Sequence, residues 1–309
     1  MPLHHPTQPK QRVLRALLIS VALASPLWSQ AEVVTTPAGV LTGAGSGTGD
    51  AIAADVWLRQ NVRAGSTAGI TSTYPRNGDG SALVTLSDSS GKADWVYAPT
   101  GGFGRLADLS ALSYEWYRHA SSTAPQHLHP VIRLMVDIDG NPATTTDIAY
   151  LIYEQVYNGG STGTPVPTNN WVNVSVAPST NLWVSQPGVG NEEVYNRPLS
   201  TYQSTAANNY TPTSGWTRIN RNSLILGISM GIGSGWSGTF SGAVDNPSIT
   251  VGQKSYTANF ELTAAATPAA VPTLGEATLA ALAALAALAG LIGVAGVIGN
   301  RRRNLPARH

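Results

Sequence analysis

The segment PVIRLMVDI at 130–138 alternates strictly, with Ile132, Leu134 and Val136 on one side of an extended chain and Arg133, Met135 and Asp137 on the other. A period of two marks a strand with one buried face, since helical side chains repeat every 3.6 residues instead. Short apolar and β-branched runs of the same kind recur at 81–87, 92–99, 111–118, 148–157, 171–176, 224–232, 239–251 and 255–262, bounded by turn-forming residues. Residues 33–49 read as a first strand running into a Gly/Ser/Thr-rich loop. No long stretch between the two ends has helical periodicity, and only 106–112 leaves room for one helical turn. Nine or ten strands punctuated in this way predict an all-β fold, a two-sheet antiparallel jelly-roll-like sandwich.

Both ends stand apart from this pattern. Near the start, Lys10, Arg12 and Arg15 precede an apolar stretch at 16–24 and a small-residue site ending at Ala31. Such a stretch is too short to cross a bilayer core, which needs about 20 helical residues, so 1–31 reads as a signal peptide cut between Ala31 and Glu32. At the other end, 277–299 contains no charge or proline, and a helix of that length rises about 34 Å, enough to span a membrane. Arg301, Arg302 and Arg303 follow directly and would hold that end on the cytoplasmic side. The expected division is a signal peptide at 1–31, a β-sandwich ectodomain at 32–262, a flexible linker at 263–270 and a C-terminal segment at 271–309. In that segment Pro272 cannot continue a helix and disfavours helix at Val271, so the stretch before the apolar run is expected to be extended and accessible.

The order VPTLGE, apolar helix, RRR resembles the IPTL-type variant of the PEP-CTERM sorting signal of Gram-negative bacteria. The resemblance implies that Val271, Pro272, Thr273, Leu274 and Glu276 form the sorting motif. It also implies cleavage near the motif by a membrane-embedded exosortase-type transpeptidase, with inner-membrane anchoring of the precursor and association with biofilm. A plain, unprocessed C-terminal anchor is the alternative. The runs GFGRLADLSALSYEWYR, PVIRLMVDIDGN, IAYLIYEQVYN, GIGSGWSGTFSGAVDN and YTANFE resemble exported jelly-roll ectodomains associated with that signal, similar in architecture to concanavalin-like and carbohydrate-binding sandwiches. Fold follows from such a likeness more directly than function does.

Composition narrows the chemistry. The chain has no cysteine, which excludes disulfides, thiolate catalysis and Cys-based zinc sites. Seven of its 18 Lys and Arg lie in the two ends, leaving eleven against sixteen Asp and Glu in the body, a net charge of −5. A mildly acidic body without a basic patch speaks against nucleic-acid binding.

Candidate sites are few. Asp137, Asp139, Asn141 and Asp147 lie around one hairpin connection, and hard oxygens at alternate positions suit calcium, although Asp-Gly and Gly-Asn are also ordinary turn chemistry. Eight Trp and eleven Tyr against three Phe suggest rings that stack on sugars. Trp116, Tyr153, Tyr157, Trp171, Trp183 and Trp236 are the candidates, with core packing as the competing role for each. Asp245-Asn246 is expected to cap a turn, and His119, His127 and His129 to occupy a solvated loop. Catalysis finds no footing: Glu115, Glu154, Asp137 and Asp245 have no spacing that selects a pair, and GIGSGWSGTFSG lacks the Lys of a phosphate loop. The sequence therefore reads as a non-enzymatic exported surface protein with extracellular polysaccharide as its first candidate ligand. A secreted glycan-active enzyme and a purely structural matrix component are the alternatives.

Overall fold

The computed structural model describes residues 31–264 apart from 38, 142, 145–146 and 207–218. The signal segment before Ala31, the motif residues 271–276, the apolar run 277–299 and the arginines 301–303 lie outside the described residues. Among the described residues no helix is long and apolar enough to cross a membrane.

The described chain forms β1 (Glu32–Val34), β2 (Val40–Thr42), β3 (Trp57–Gln60), β4 (Ser66–Thr71), β5 (Ser81–Leu86), β6 (Lys92–Tyr97), β7 (Gly104–Arg105) and β8 (Leu109–Arg118). It continues with β9 (Val131–Asp137), β10 (Ile148–Tyr153), β11 (Trp171–Ser175), β12 (Leu182–Gln186) and β13 (Gly190–Glu192). A short helix α1 (Leu199–Ser204) precedes β14 (Leu224–Gly233), β15 (Phe240–Val251) and β16 (Lys254–Phe260). Each of the nine expected runs contains a strand, and the single helical turn falls at Leu106–Asp108 as a 3₁₀ turn. The run 148–157 is strand only as far as Tyr153 before a second 3₁₀ turn at Gln155–Tyr157.

Two sheets face each other, so the chain is an all-β, jelly-roll-like sandwich. In the first, β15 is the spine. Strand β8 lies along one side with β11 beyond it, while the other side pairs first with β5 and then with β16. The change of partner occurs at a bulge between Asp245 and Ser248, where Asn246 takes a left-handed φ of 49°. The expected turn cap at Asp245-Asn246 is thus corrected: the pair sits inside a strand, and the local bend comes from the bulge. Strand β1 pairs with β16 in parallel, which sets the first and last strands of the sandwich side by side.

The second sheet runs β13-β12-β10-β9-β14-β6-β3, with β7 also pairing β14. Its strands alternate as the sequence requires. Ile132, Leu134 and Val136 of β9, Ala93 and Trp95 of β6, and Leu151 of β10 point into the sandwich and are buried. They meet Tyr114, Trp116, Phe240 and Phe260 from the first sheet, all fully buried. Trp57 and Trp95 both pack on Phe260, with ring centroids 5.1 Å and 5.3 Å away. Truncating any one of these large aromatics to Ala removes roughly 3–5 kcal/mol. A core of this kind stabilises the sandwich without a disulfide.

Candidate functional site

The alternation that fills the core also decides which side chains lie on the outer face of the second sheet, where Asp94, Arg133 and Ser229 are themselves largely covered by their neighbours. Its outer face receives Lys92, Asp94 and Val96 from β6, Arg133 from β9, and Tyr150 and Ile152 from β10. Glu154 follows at the end of β10, Trp183 and Ser185 come from β12, and Ser229 from β14. Two adjoining clefts of about 260 Å³ and 370 Å³ share Lys92, Arg133, Ile152 and Ser185, so they form one groove across six strands, with Asn191 of β13 at its edge. Trp183 stands at one wall of the smaller cleft, and Trp236 reaches it from the loop between β14 and β15.

Charged groups make up the floor. Arg133 Nη1 lies 2.8 Å from Asp94 Oδ1, and Lys92 Nζ lies 3.3 Å from Asp94 Oδ2. Asn61 Nδ2 donates to Asp94 Oδ2 at 3.0 Å, so both carboxylate oxygens are engaged. Strand β14 runs between Arg133 and Asp94, and the two meet over it because position 231 is glycine. A Cβ there would fall 2.3 Å from Asp94 Oδ1 and 2.3 Å from the Ala93 carbonyl. The floor therefore depends on one missing side chain. Burial holds the Lys92 ammonium below its ordinary pKa despite its acidic neighbour, because removing it from water costs more than the pairing returns.

Glu154 is different in kind. Burial pushes its carboxyl up to about 7, while the nearby Arg133 charge and Trp183 side chain oppose part of that rise. The Trp183 Nε1–H, itself buried, closes no hydrogen bond of standard geometry, although it approaches this carboxyl. At neutral pH the groove thus contains a carboxyl poised between donor and acceptor. A ligand hydroxyl can meet such a group in either state.

The aromatic candidates divide among three settings. Trp183 and Trp236 line the groove. Tyr157 stacks on Tyr195 at 4.3 Å, and Tyr195 meets Trp183 edge-on at 6.1 Å, so Tyr157 braces a groove wall from behind. Trp171 lies on the first sheet, 5.7 Å from Tyr117 and beneath the Arg76 guanidinium at 5.9 Å, away from the groove. Trp116 and Tyr153 are corrected: both point into the core, at 0% and 8% exposure, because they occupy inward positions of β8 and β10. They cannot stack on a ligand.

The polar candidates separate as well. The carboxylates of Asp137, Asp139 and Asp147 converge at the β9–β10 hairpin, while Asn141 accepts the Ala143 N–H at 3.2 Å and braces the turn. Glu115 and Asp245 face each other across β8 and β15, far in the topology from Glu154. His129 is also corrected. It is buried and stacked on Trp116 at 4.6 Å, with Nδ1 bonded to the Pro130 carbonyl and Nε2 accepting the Gln155 N–H.

Sequence reasoning missed Lys92, Asp94, Arg133, Tyr150 and Ser185 as groove residues. The signal for them was present: polar side chains at alternate positions of strands whose other positions are apolar.

A search of the curated proteins finds no match. Among solved structures the chain is similar to the family 11 carbohydrate-binding module from Clostridium thermocellum in complex with a β-1,3-1,4-mixed-linked tetrasaccharide. The identity is 11%, the coverage 72% of this chain and 89% of that one, and the TM-score 0.32. It is also similar to the family 11 module of the cellulosomal cellulase Lic26A-Cel5E of Clostridium thermocellum, at 11% identity, 69% and 95% coverage and a TM-score of 0.32. Residues 269–303 match the model of the IPTL-CTERM motif, and the chain therefore carries a C-terminal sorting signal of that type.

Proposed function

We propose that this chain is an exported surface protein whose sandwich binds extracellular polysaccharide along the outer face of the second sheet. One observation supports the reading: Trp183 and Trp236 line a groove together with the polar groups of Lys92, Asp94, Arg133 and Glu154. Sugar rings present apolar faces and hydroxyl edges, and this groove offers indole faces and polar groups to match. Delivery rests on the sorting signal at 269–303. In this account a signal peptidase cuts after Ala31, the apolar run 277–299 holds the precursor in the inner membrane, and an exosortase-type transpeptidase releases it near Pro272. The mature protein then belongs to the cell surface or the extracellular matrix, where biofilm polysaccharide is the available ligand.

The reading is of binding without turnover. Glycoside hydrolysis needs two carboxyl groups flanking one bond. Glu154 could serve as one, but Asp94 is committed to Arg133, Lys92 and Asn61.

Affinity electrophoresis of the full chain through gels containing soluble polysaccharides tests this directly. Wild type is retarded, Trp183→Ala and Trp236→Ala each lose at least about tenfold in affinity, equivalent to 1.4 kcal/mol, and Trp171→Ala behaves as wild type. Retardation that survives both groove substitutions, or release of reducing ends that depends on Glu154, would displace the proposal.

A further inference from the structure

The β9–β10 hairpin lies at the opposite end of β9 from the groove residue Val131, and its chemistry is separate. One carboxylate oxygen from each of Asp137, Asp139 and Asp147 lies within 4.8 Å of the others. Three negative groups at this spacing repel one another unless something positive sits among them. Asp137 is the informative member. Its side chain is fully covered, and neither of its oxygens makes a hydrogen bond of standard geometry. Leaving a buried carboxylate unpaired is costly, and native structures rarely do so without a ligand to receive it.

The surrounding loop holds the other two carboxylates in place. Asp139 Oδ1 accepts the Asn141 N–H at 2.7 Å, while Asp147 accepts the Asp139 N–H at 3.1 Å and the Thr144 hydroxyl at 3.1 Å.

The geometry points to a divalent-cation site at this hairpin, with Asp137, Asp139 and Asp147 as ligands and calcium as the cation. All three donors are hard oxygens, which favour calcium or magnesium over zinc or copper, with their preference for nitrogen and sulfur. Calcium accepts six to eight oxygens in irregular geometry and tolerates a loop frame, whereas magnesium demands a near-ideal octahedron. Water and backbone carbonyls complete the shell. The cation removes the repulsion and ties together the two strands, β9 and β10, that carry Arg133, Tyr150 and Ile152.

Calcium chloride titration of the EDTA-treated full-length protein, followed by calorimetry and thermal unfolding, tests the site. With a dissociation constant of about 10⁻⁴–10⁻³ M, typical of extracellular calcium modules, 10 mM calcium raises Tm by roughly 3–10 °C. Asp137→Asn and the exposed Asp139→Asn each abolish that shift, and Asp137→Asn without calcium melts at or above calcium-free wild type because a repelling charge is gone. Should Asp137→Asn fail to fold, Asp139→Asn alone decides. The inference is overturned if wild type shows neither heat nor a Tm shift up to 10 mM calcium. It is equally overturned if the substituted proteins that fold retain the wild-type shift.

Discussion

Arg133 on β9 reaches over β14 to Asp94 on β6, Nη1 to Oδ1 at 2.8 Å, through the gap that Gly231 leaves between them. Three strands are tied by one ion pair on an otherwise solvent-facing surface. Because Arg133, Asp94 and Lys92 are largely shielded from water, breaking the group strands a charge, which costs more than the group contributes when intact.

Gly231→Ala is therefore expected to be severe for so small a change. The new methyl would meet a backbone carbonyl, which cannot step aside, as well as the Asp94 carboxylate. The expected loss is about 2 kcal/mol or more in urea unfolding, together with weakened polysaccharide binding. A substitution that leaves both unchanged would show that the floor does not depend on this gap.

Acid should act through His129. Burial lowers its imidazole from 6.5 to about 4, so between those values the unfolded chain takes up a proton that the folded protein refuses. The stability it confers is complete above pH 6.5 and is lost as pH falls toward 4. Relative to His129→Asn, which does not titrate, wild type should lose about 3 kcal/mol between pH 7 and pH 4. Denaturant midpoints at pH 7, 5.5 and 4 measure the gap, and a constant gap would mean that His129 is reached by solvent.

Asp245 has the opposite sign. Burial raises its carboxyl from 3.8 to about 8; Oδ1 accepts the Asn246 and Phe260 N–H groups, and Oδ2 has no hydrogen-bond partner. Its contribution is complete below pH 3.8 and is lost as pH rises to about 8. Asp245→Asn keeps an acceptor for both N–H groups and does not ionise. Its stability relative to wild type should be unchanged near pH 4 and should gain a few kcal/mol by pH 9. An advantage independent of pH would show that Asp245 ionises freely in the folded protein.

The strands were readable wherever side chains alternated cleanly, as in β6, β9 and β14, because period two is a local property. Strands β3, β4, β7, β12 and β13 lie outside the runs that the sequence marks. β4 (STAGIT) consists of small residues and glycine, and β13 is three residues long, so their pairing is set by neighbours rather than by their own pattern. The groove was half legible: Trp183 and Trp236 stood out as aromatics, but Lys92, Asp94 and Arg133 acquire meaning only once β6, β14 and β9 are known to be adjacent. Trp116 and His129 were misplaced for the same reason, since composition does not say which face of a strand meets the other sheet. The acidic hairpin, being local, was visible from spacing alone.

Hydroxyl-radical footprinting of the full chain, with and without saturating polysaccharide, asks most directly where the ligand sits. The indoles of Trp183 and Trp236 should be shielded when sugar is present, while Trp171 on the opposite sheet should react equally in both states. Shielding confined to Trp171, or none at either groove tryptophan despite measured binding, would contradict the account.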